Sequence, residues 1–169
     1  MSAAPRLFII MGVSGCGKST IAEGIARSVN GTYLDGDDFH PPSNIEKMSN
    51  GIPLTDEDRF PWLKIVAHEL SNPKGPVVIA CSALKRVYRD IIQKHSQEPV
   101  LFVYLDGSIE LISARMAARP DHFMPTSLLE SQFATLERPA SDELTISVDI
   151  DQTPDRIIND AVAQIKAIT

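Results

Sequence analysis

The sequence predicts a three-layer α/β domain, a five-stranded parallel sheet covered by helices on both faces. Three observations lead there. Short apolar runs at residues 7–11, 32–34, 76–81, 100–105 and 146–150 have the length and composition of strands. Between them lie stretches whose apolar residues recur at helical spacing, and strands alternating with helices make a parallel sheet. The 169 residues, 43% of them hydrophobic, suit a single domain over 1–169 with its own core and no interdomain linker.

The first strand, Leu7–Met11, is an unbroken apolar run and leads straight into Gly12-Val13-Ser14-Gly15-Cys16-Gly17-Lys18-Ser19-Thr20. This fits G-x-x-x-x-G-K-S/T, the P-loop of nucleoside triphosphate-binding proteins. The glycines let the backbone wrap an anion so that successive N–H groups point at phosphate. Lys18 supplies a cation for the β- and γ-phosphates, and the Ser19 hydroxyl suits Mg²⁺. The helix that follows adds donors and partial positive charge at its N-terminus. By chance the pattern should arise in roughly 1% of chains this long, before the required strand and helix are counted. A P-loop NTPase fold follows, and with it ATP or a similar nucleotide as ligand.

Ile21, Ile25 and Val29 give the first helix one buried stripe, and Asn30-Gly31 closes it. The second strand ends at Asp35. Residues 36–62 then hold four prolines and many polar groups, too long for a plain connection, and read as a substrate-binding excursion from the sheet. Within it residues 43–48 form a short helix. Thr55 and Asp58 have the spacing of a capping box for the next helix, whose inner face carries Trp62, Ile65, Val66 and Leu70. After the third strand Ser82 and Lys85 open a helix with Leu84, Val87, Tyr88, Ile91 and Ile92 on one side. The helix after the fourth strand starts near Ser108 and turns Ile109, Ile112 and Met116 inward. Pro120 breaks it, and residues 116–126 read as a lid. Residues 127–137 are helical again. Thr153-Pro154 opens the last helix with an N-cap and an N1 proline, and Ile157, Ala161, Ile165 and Ile168 form its inner stripe.

Ligands of such sheets bind beyond the carboxyl ends of the strands, which brings the polar oddities to one rim. Asp35 and Asp37 are the metal and acid/base candidates. We assign Asp35 with Ser19 to the metal and Asp37 to the acceptor hydroxyl; the bland alternative is a pair of turn formers beside Gly36. Ser82, Lys85 and Arg89 suit an anionic acceptor such as a carboxylate, against an N-cap serine with two solvated cations. Arg59 and Lys47 reach the same acid or pair with neighbouring glutamates, and His40 and His122 are candidates to bond acceptor hydroxyls. Arg115 and Arg119, one helical turn apart, fit a lid that steadies charge on the moving phosphoryl group and excludes water. Lys18, Asp37 and Arg115 are thus the expected catalytic set.

A net charge of −6 without a basic run gives no encouragement to a nucleic-acid partner. No apolar stretch reaches membrane-spanning length and no signal-peptide pattern is visible. Two cysteines make no disulfide framework, so a cytoplasmic location is expected, with Cys16 and Cys81 read as small buried residues before a redox pair. The guanine motif N-K-x-D of GTP-driven switches is missing, which disfavours a partner-binding switch.

Four segments, MGVSGCGKST, LDGDDFHPPSNIEKMSNGIPLTDEDRFPWL, CSALKRVYRD and ARMAARPDHFMPTSLLESQFATLERP, resemble the small P-loop gluconokinases, relatives of shikimate and nucleoside monophosphate kinases. They cover well over half the chain. The resemblance implies transfer of the ATP γ-phosphoryl group to D-gluconate with Mg²⁺, giving 6-phospho-D-gluconate for the pentose phosphate or Entner–Doudoroff routes, and a homodimer. It maps the metal and acceptor acids to Asp35 and Asp37 and the lid arginines to Arg115 and Arg119. It also adds Gln132, in the family's QF-x-x-LE segment, to the substrate-binding set. The rivals on the same scaffold are shikimate and nucleoside monophosphate kinases.

Overall fold

The computed structural model describes residues 5–118 and 126–168, with side chains omitted at 126 and 127. Chain order is β1 (Leu7–Met11), α1 (Lys18–Ser28), β2 (Thr32–Asp35), a 3₁₀ turn (Gly36–Phe39), α2 (Pro42–Ser49), α3 (Asp56–Ser71), β3 (Val77–Ala80), α4 (Arg86–His95), β4 (Val100–Asp106), α5 (Ile109–Ala117), α6 (Thr126–Thr135), β5 (Thr145–Asp149) and α7 (Pro154–Ala167). The strands form one sheet in the order β2-β3-β1-β4-β5, every pairing parallel. β1 lies between β3 and β4: the chain goes from β1 to β2 and β3 on one side of it, then crosses from β3 to β4 and β5 on the other. That switch point is where an open parallel sheet has a crevice for a ligand.

Alternation along β1 sends Phe8 and Ile10 to one face and Leu7, Ile9 and Met11 to the other. All five are buried, because each face has its own helical cover. One core packs under α1 and α7 through Ile21, Ile25, Ile157 and Ile165; the other packs under α3 and α4 through Leu63, Val66, Leu70 and Ile92. The expected inner residues Ile65, Val87 and Ile168 lie at the margins and remain 37%, 42% and 45% exposed.

Helix ends follow the sequence signals closely. α1 terminates in a Schellman arrangement: Asn30 takes φ 54, Gly31 N–H donates to Ala26 O and Asn30 N–H to Arg27 O. Thr55 and Asp58 form the full capping box of α3. The start of α4 differs from expectation. Ser82 does not open it; the helix begins at Arg86 with Lys85 at the N-cap position and no side-chain cap. Residues 81–85 are irregular, and Ala83 takes the left-handed φ of 44. Arg119 and His122 lie outside the described residues, as does most of the expected lid.

Candidate active site

The phosphate loop starts where β1 ends. Gly15 has a φ of 84, and an added Cβ would lie 2.5 Å from the Met116 sulfur of α5, so a side chain there would strain the backbone and displace Met116. Lys18 Nζ folds back across the loop and donates to Gly12 O at 3.1 Å and Val13 O at 3.0 Å. Gly12 N–H donates to Ser82 O, which ties the loop to the end of β3. Cys16 is buried in one core and Cys81 in the other. Burial raises the Cys16 thiol and pushes Cys81 up to about 12, so both stay protonated and inert.

Gln132 of α6 binds the loop, not the acceptor side. Its Oε1 accepts from Ser14 N–H at 2.6 Å and its Nε2 donates to Ser14 Oγ at 2.8 Å, so the two ends of the amide are both engaged. On the far side of the loop a pocket is lined by Gly17, Thr20, Arg115, Gln152, Pro154 and Ile157. Arg115 donates to Gln152 O at 3.2 Å there. The nucleotide-facing reading of Arg115 fits this position, but its guanidinium is turned toward the β5–α7 connection. Gln152 gave no sequence signal beyond its place after the last strand, and Pro154 read only as the N1 residue of the last helix.

The acid pair stands on the other flank, beyond β2. Asp35 Oδ1 accepts from Asp37 N–H at 3.0 Å, which starts the 3₁₀ turn. Gly36 between them is pressed against β3, and Trp62 Nε1 of α3 donates to Gly36 O at 2.8 Å. The turn therefore cannot shift without moving two elements. Desolvation by the surrounding walls, then the charge of Asp35, raises the Asp37 carboxyl above its usual range even though its tip reaches solvent. Lys18 and His40 act on Asp37 in the opposite sense.

His40 is buried and stacks on Trp62, ring centroids 4.1 Å apart and planes within 15°. It is a wall of the site more than a free hydrogen-bonding arm. A second cluster lies further along the rim. Tyr88 OH donates to Asp56 Oδ1 at 2.5 Å, Lys85 Nζ lies 3.1 Å from the same oxygen, and Arg59 donates to Leu54 O at 2.6 Å. Both cations sit 5.6 Å from the Tyr88 ring centroid. Lys85 and Arg59 are thus brought together, with Tyr88, read from sequence as a core residue, between them.

Two of the expected acceptor ligands are engaged by protein partners in this structure. Arg89 is 2% exposed, and all five of its N–H donors are engaged: by Glu143 through Nε and Nη2, by Ala83 O and Leu84 O through Nη1, and by Glu137 O through Nη2. It braces residues 81–85 from inside. Lys47 Nζ bonds Asp58 Oδ2 at 2.7 Å, and this draws the Asp58 carboxyl from 3.8 down to about 2, so Lys47 ties α2 to the capping acid of α3. Among the described residues no three His, Cys, Asp or Glu side chains converge on a metal site.

A phosphate loop facing an acid pair and a cationic rim describes a small-molecule kinase, and comparison with known proteins narrows the class. The shikimate kinase family model matches residues 14–166. A thermosensitive gluconokinase from Escherichia coli is 50% identical over 146 residues, 85% of this chain and 78% of the relative. A gluconokinase from Gluconobacter oxydans is 42% identical over 170 residues, covering 99% and 95%. The crystal structure of a gluconokinase from Sinorhizobium meliloti superposes with a TM-score of 0.90 at 44% identity, over 98% of this chain and 94% of that one. With identities of this size over most of its length, the chain belongs to the gluconokinase family.

Proposed function

We propose that the protein transfers the γ-phosphoryl group of ATP to the 6-hydroxyl of D-gluconate, giving 6-phospho-D-gluconate and ADP. The observation that carries this reading is the adjacency of the two halves of the site: Gly12 N–H ties the phosphate loop to Ser82 O just beyond β3, and Asp35 at the end of β2 pairs with Ala80 at the end of that same strand. The loop N–H groups and Lys18 hold the β- and γ-phosphates. Asp37 orients the acceptor hydroxyl and takes its proton as the new P–O bond forms and the bond to ADP breaks. Arg59 and Lys85, with Ser82, receive the carboxylate of the sugar acid. The pocket at Arg115 and Gln152 takes the adenine end.

Mg²⁺ belongs to the same proposal. The Ser19 hydroxyl and Asp35, whose carboxylate has one oxygen engaged by Asp37 N–H, form a donor set it would accept. When bound, it neutralises charge on the β- and γ-phosphates. Residues 36–62 as acceptor excursion, residues 116–126 with Arg119 and His122 as lid, the homodimer and the cytoplasmic location also stand as proposals. Among the described residues no helix is long and apolar enough to cross a membrane.

ADP release with Mg-ATP, measured against D-gluconate, shikimate, AMP and CMP at equal concentration, tests the reading. Turnover on gluconate alone is expected. Turnover on shikimate or a nucleotide with none on gluconate would overturn the acceptor while leaving the phosphate site in place.

A further inference from the structure

We propose that Asn44 is a positioning residue for phosphoryl transfer: it sets the ring tautomer of His40 so that an imidazole N–H faces the Asp37 carboxylate. The inference rests on the reading of Asp37 as the group that orients the acceptor hydroxyl. It starts from an unusual burial. Asn44 is 2% exposed on the inner face of α2, one of only three buried polar or charged residues among those described, together with His40 and Arg89.

The amide of Asn44 is oriented by what surrounds it. One of its terminal atoms lies 2.9 Å from the backbone carbonyl of Asp58 and 3.2 Å from His40 Nδ1. A carbonyl oxygen only accepts, so the atom facing it is the amide nitrogen, Nδ2. Its second N–H then points at His40 Nδ1, which must accept. A neutral imidazole carries a single N–H, and with Nδ1 accepting, the proton resides on Nε2. Burial lowers the His40 pKa below its ordinary value and keeps the ring neutral, the state in which the choice of tautomer matters.

The ring cannot turn to escape this choice. It is stacked on Trp62, and Trp62 is itself held to Gly36 O, the carbonyl between the two acids. His40 Nε2 consequently faces Asp37 Oδ1 at 3.9 Å. That is longer than a hydrogen bond, but the Asp37 side chain is 83% exposed and able to rotate toward the ring. Catalytic contacts of this kind commonly tighten when substrate seats. With Nε2–H donating to one carboxylate oxygen, the other is left for the acceptor hydroxyl. The opposite tautomer would set a nitrogen lone pair against the carboxylate and push it off its aim. The relay thus runs from Asp58 O through Asn44 and His40 to Asp37, anchored on the residue whose side chain caps α3.

The test reads the tautomer directly and then its consequence. In 15N-histidine-labelled protein, long-range 15N–1H correlation should show the Nε2–H pattern for the resonance that disappears in His40→Gln. Asn44→Asp replaces the donor with an acceptor, and should move the proton to Nδ1. Its kcat should fall about 10-fold, less than the roughly 10²–10⁴ that a general base contributes, with the gluconate KM within about twofold. In His40→Gln, whose amide has no tautomer to set, adding Asn44→Asp should lower kcat no further. A wild-type Nδ1–H pattern overturns the relay. So does a tautomer change in Asn44→Asp with kcat untouched, or an equal further loss in the His40→Gln background, the mark of a purely structural role. Undiminished kcat in Asp37→Asn would instead overturn the reading of Asp37, and is told apart because the tautomer would still be as stated.

Discussion

Gly36 occupies the tightest point of the acceptor rim. A Cβ there would lie 2.7 Å from Ala80 O and 3.2 Å from Cys81 Cβ, and backbone of a central strand cannot give way as a flexible side chain would. Gly36→Ala must therefore push the turn outward, carrying Asp35 and Asp37 with it. Overpacking of this kind costs about 1–3 kcal/mol. Displacing a reacting group by about 1 Å costs on the order of 10²-fold in rate, so activity should fall much further than stability. Thermal unfolding and ADP release on the same preparation check this: a lowered Tm with kcat near wild type would show that the turn does not place the acids. At this scale the sequence was informative about residue type and poor about partners. Asp-Gly-Asp after a strand announced a turn, but nothing local said that Trp62, 26 positions on, would grip its middle carbonyl.

At the scale of elements, signals lying within a few residues of each other were legible and those between elements were not. The capping box of α3 is written in Thr55 and Asp58, three positions apart, and forms as written. Thr55→Ala should cost about 1 kcal/mol in unfolding free energy. Asp58 adds a pH dependence. Lys47 and the Thr55 N–H favour its ionised form, holding its carboxyl at about 2 in the folded chain against 3.8 ordinarily. Its contribution is therefore complete above the unfolded value and fades as pH falls from about 4 toward 2. Denaturant melts of wild type and Asp58→Asn should differ by a constant amount near neutral pH and converge in that acid window. Divergence on acidification would contradict the assignment. By contrast, Gln132 reaches Ser14 across 118 residues of sequence, a contact that only the packing of α6 on the phosphate loop creates. Gln132→Leu leaves a loop N–H and a hydroxyl unpaired, a loss of about 1–3 kcal/mol. The ATP KM should rise about 5- to 10-fold, since 1.4 kcal/mol is tenfold, while the gluconate KM stays within about twofold. The reverse pattern would return Gln132 to the acceptor side.

The whole molecule was readable where periodicity rules and obscure where charge is buried. Apolar runs and helical stripes foretold a parallel sheet with two covered faces because burial on both sides leaves no polar alternation in its strands. An arginine one turn beyond Lys85 looked like an anion ligand, since exposed cations at a rim are the common case. In the folded chain it binds Glu143, 54 residues away, and fastens residues 137–143 to the irregular segment 81–85. The Arg89–Glu143 pair, with side chains 2% and 8% exposed, is shielded from solvent on both sides. Breaking such a pair leaves one buried charge uncompensated, at a cost of roughly 3–5 kcal/mol. For a chain of this size each 1 kcal/mol moves Tm by about 2–4 °C, so Arg89→Met should melt on the order of 10 °C lower. Replacing both partners, as in Arg89→Met with Glu143→Leu, should recover much of that loss, because the orphaned carboxylate is gone. A direct gluconate ligand predicts the opposite result: Arg89→Met would melt near the wild-type temperature with a gluconate KM raised tenfold or more, and the second substitution would rescue nothing. Thermal melts of the three variants alongside their gluconate saturation curves decide between the two, and the five occupied donors of Arg89 place it with the scaffold.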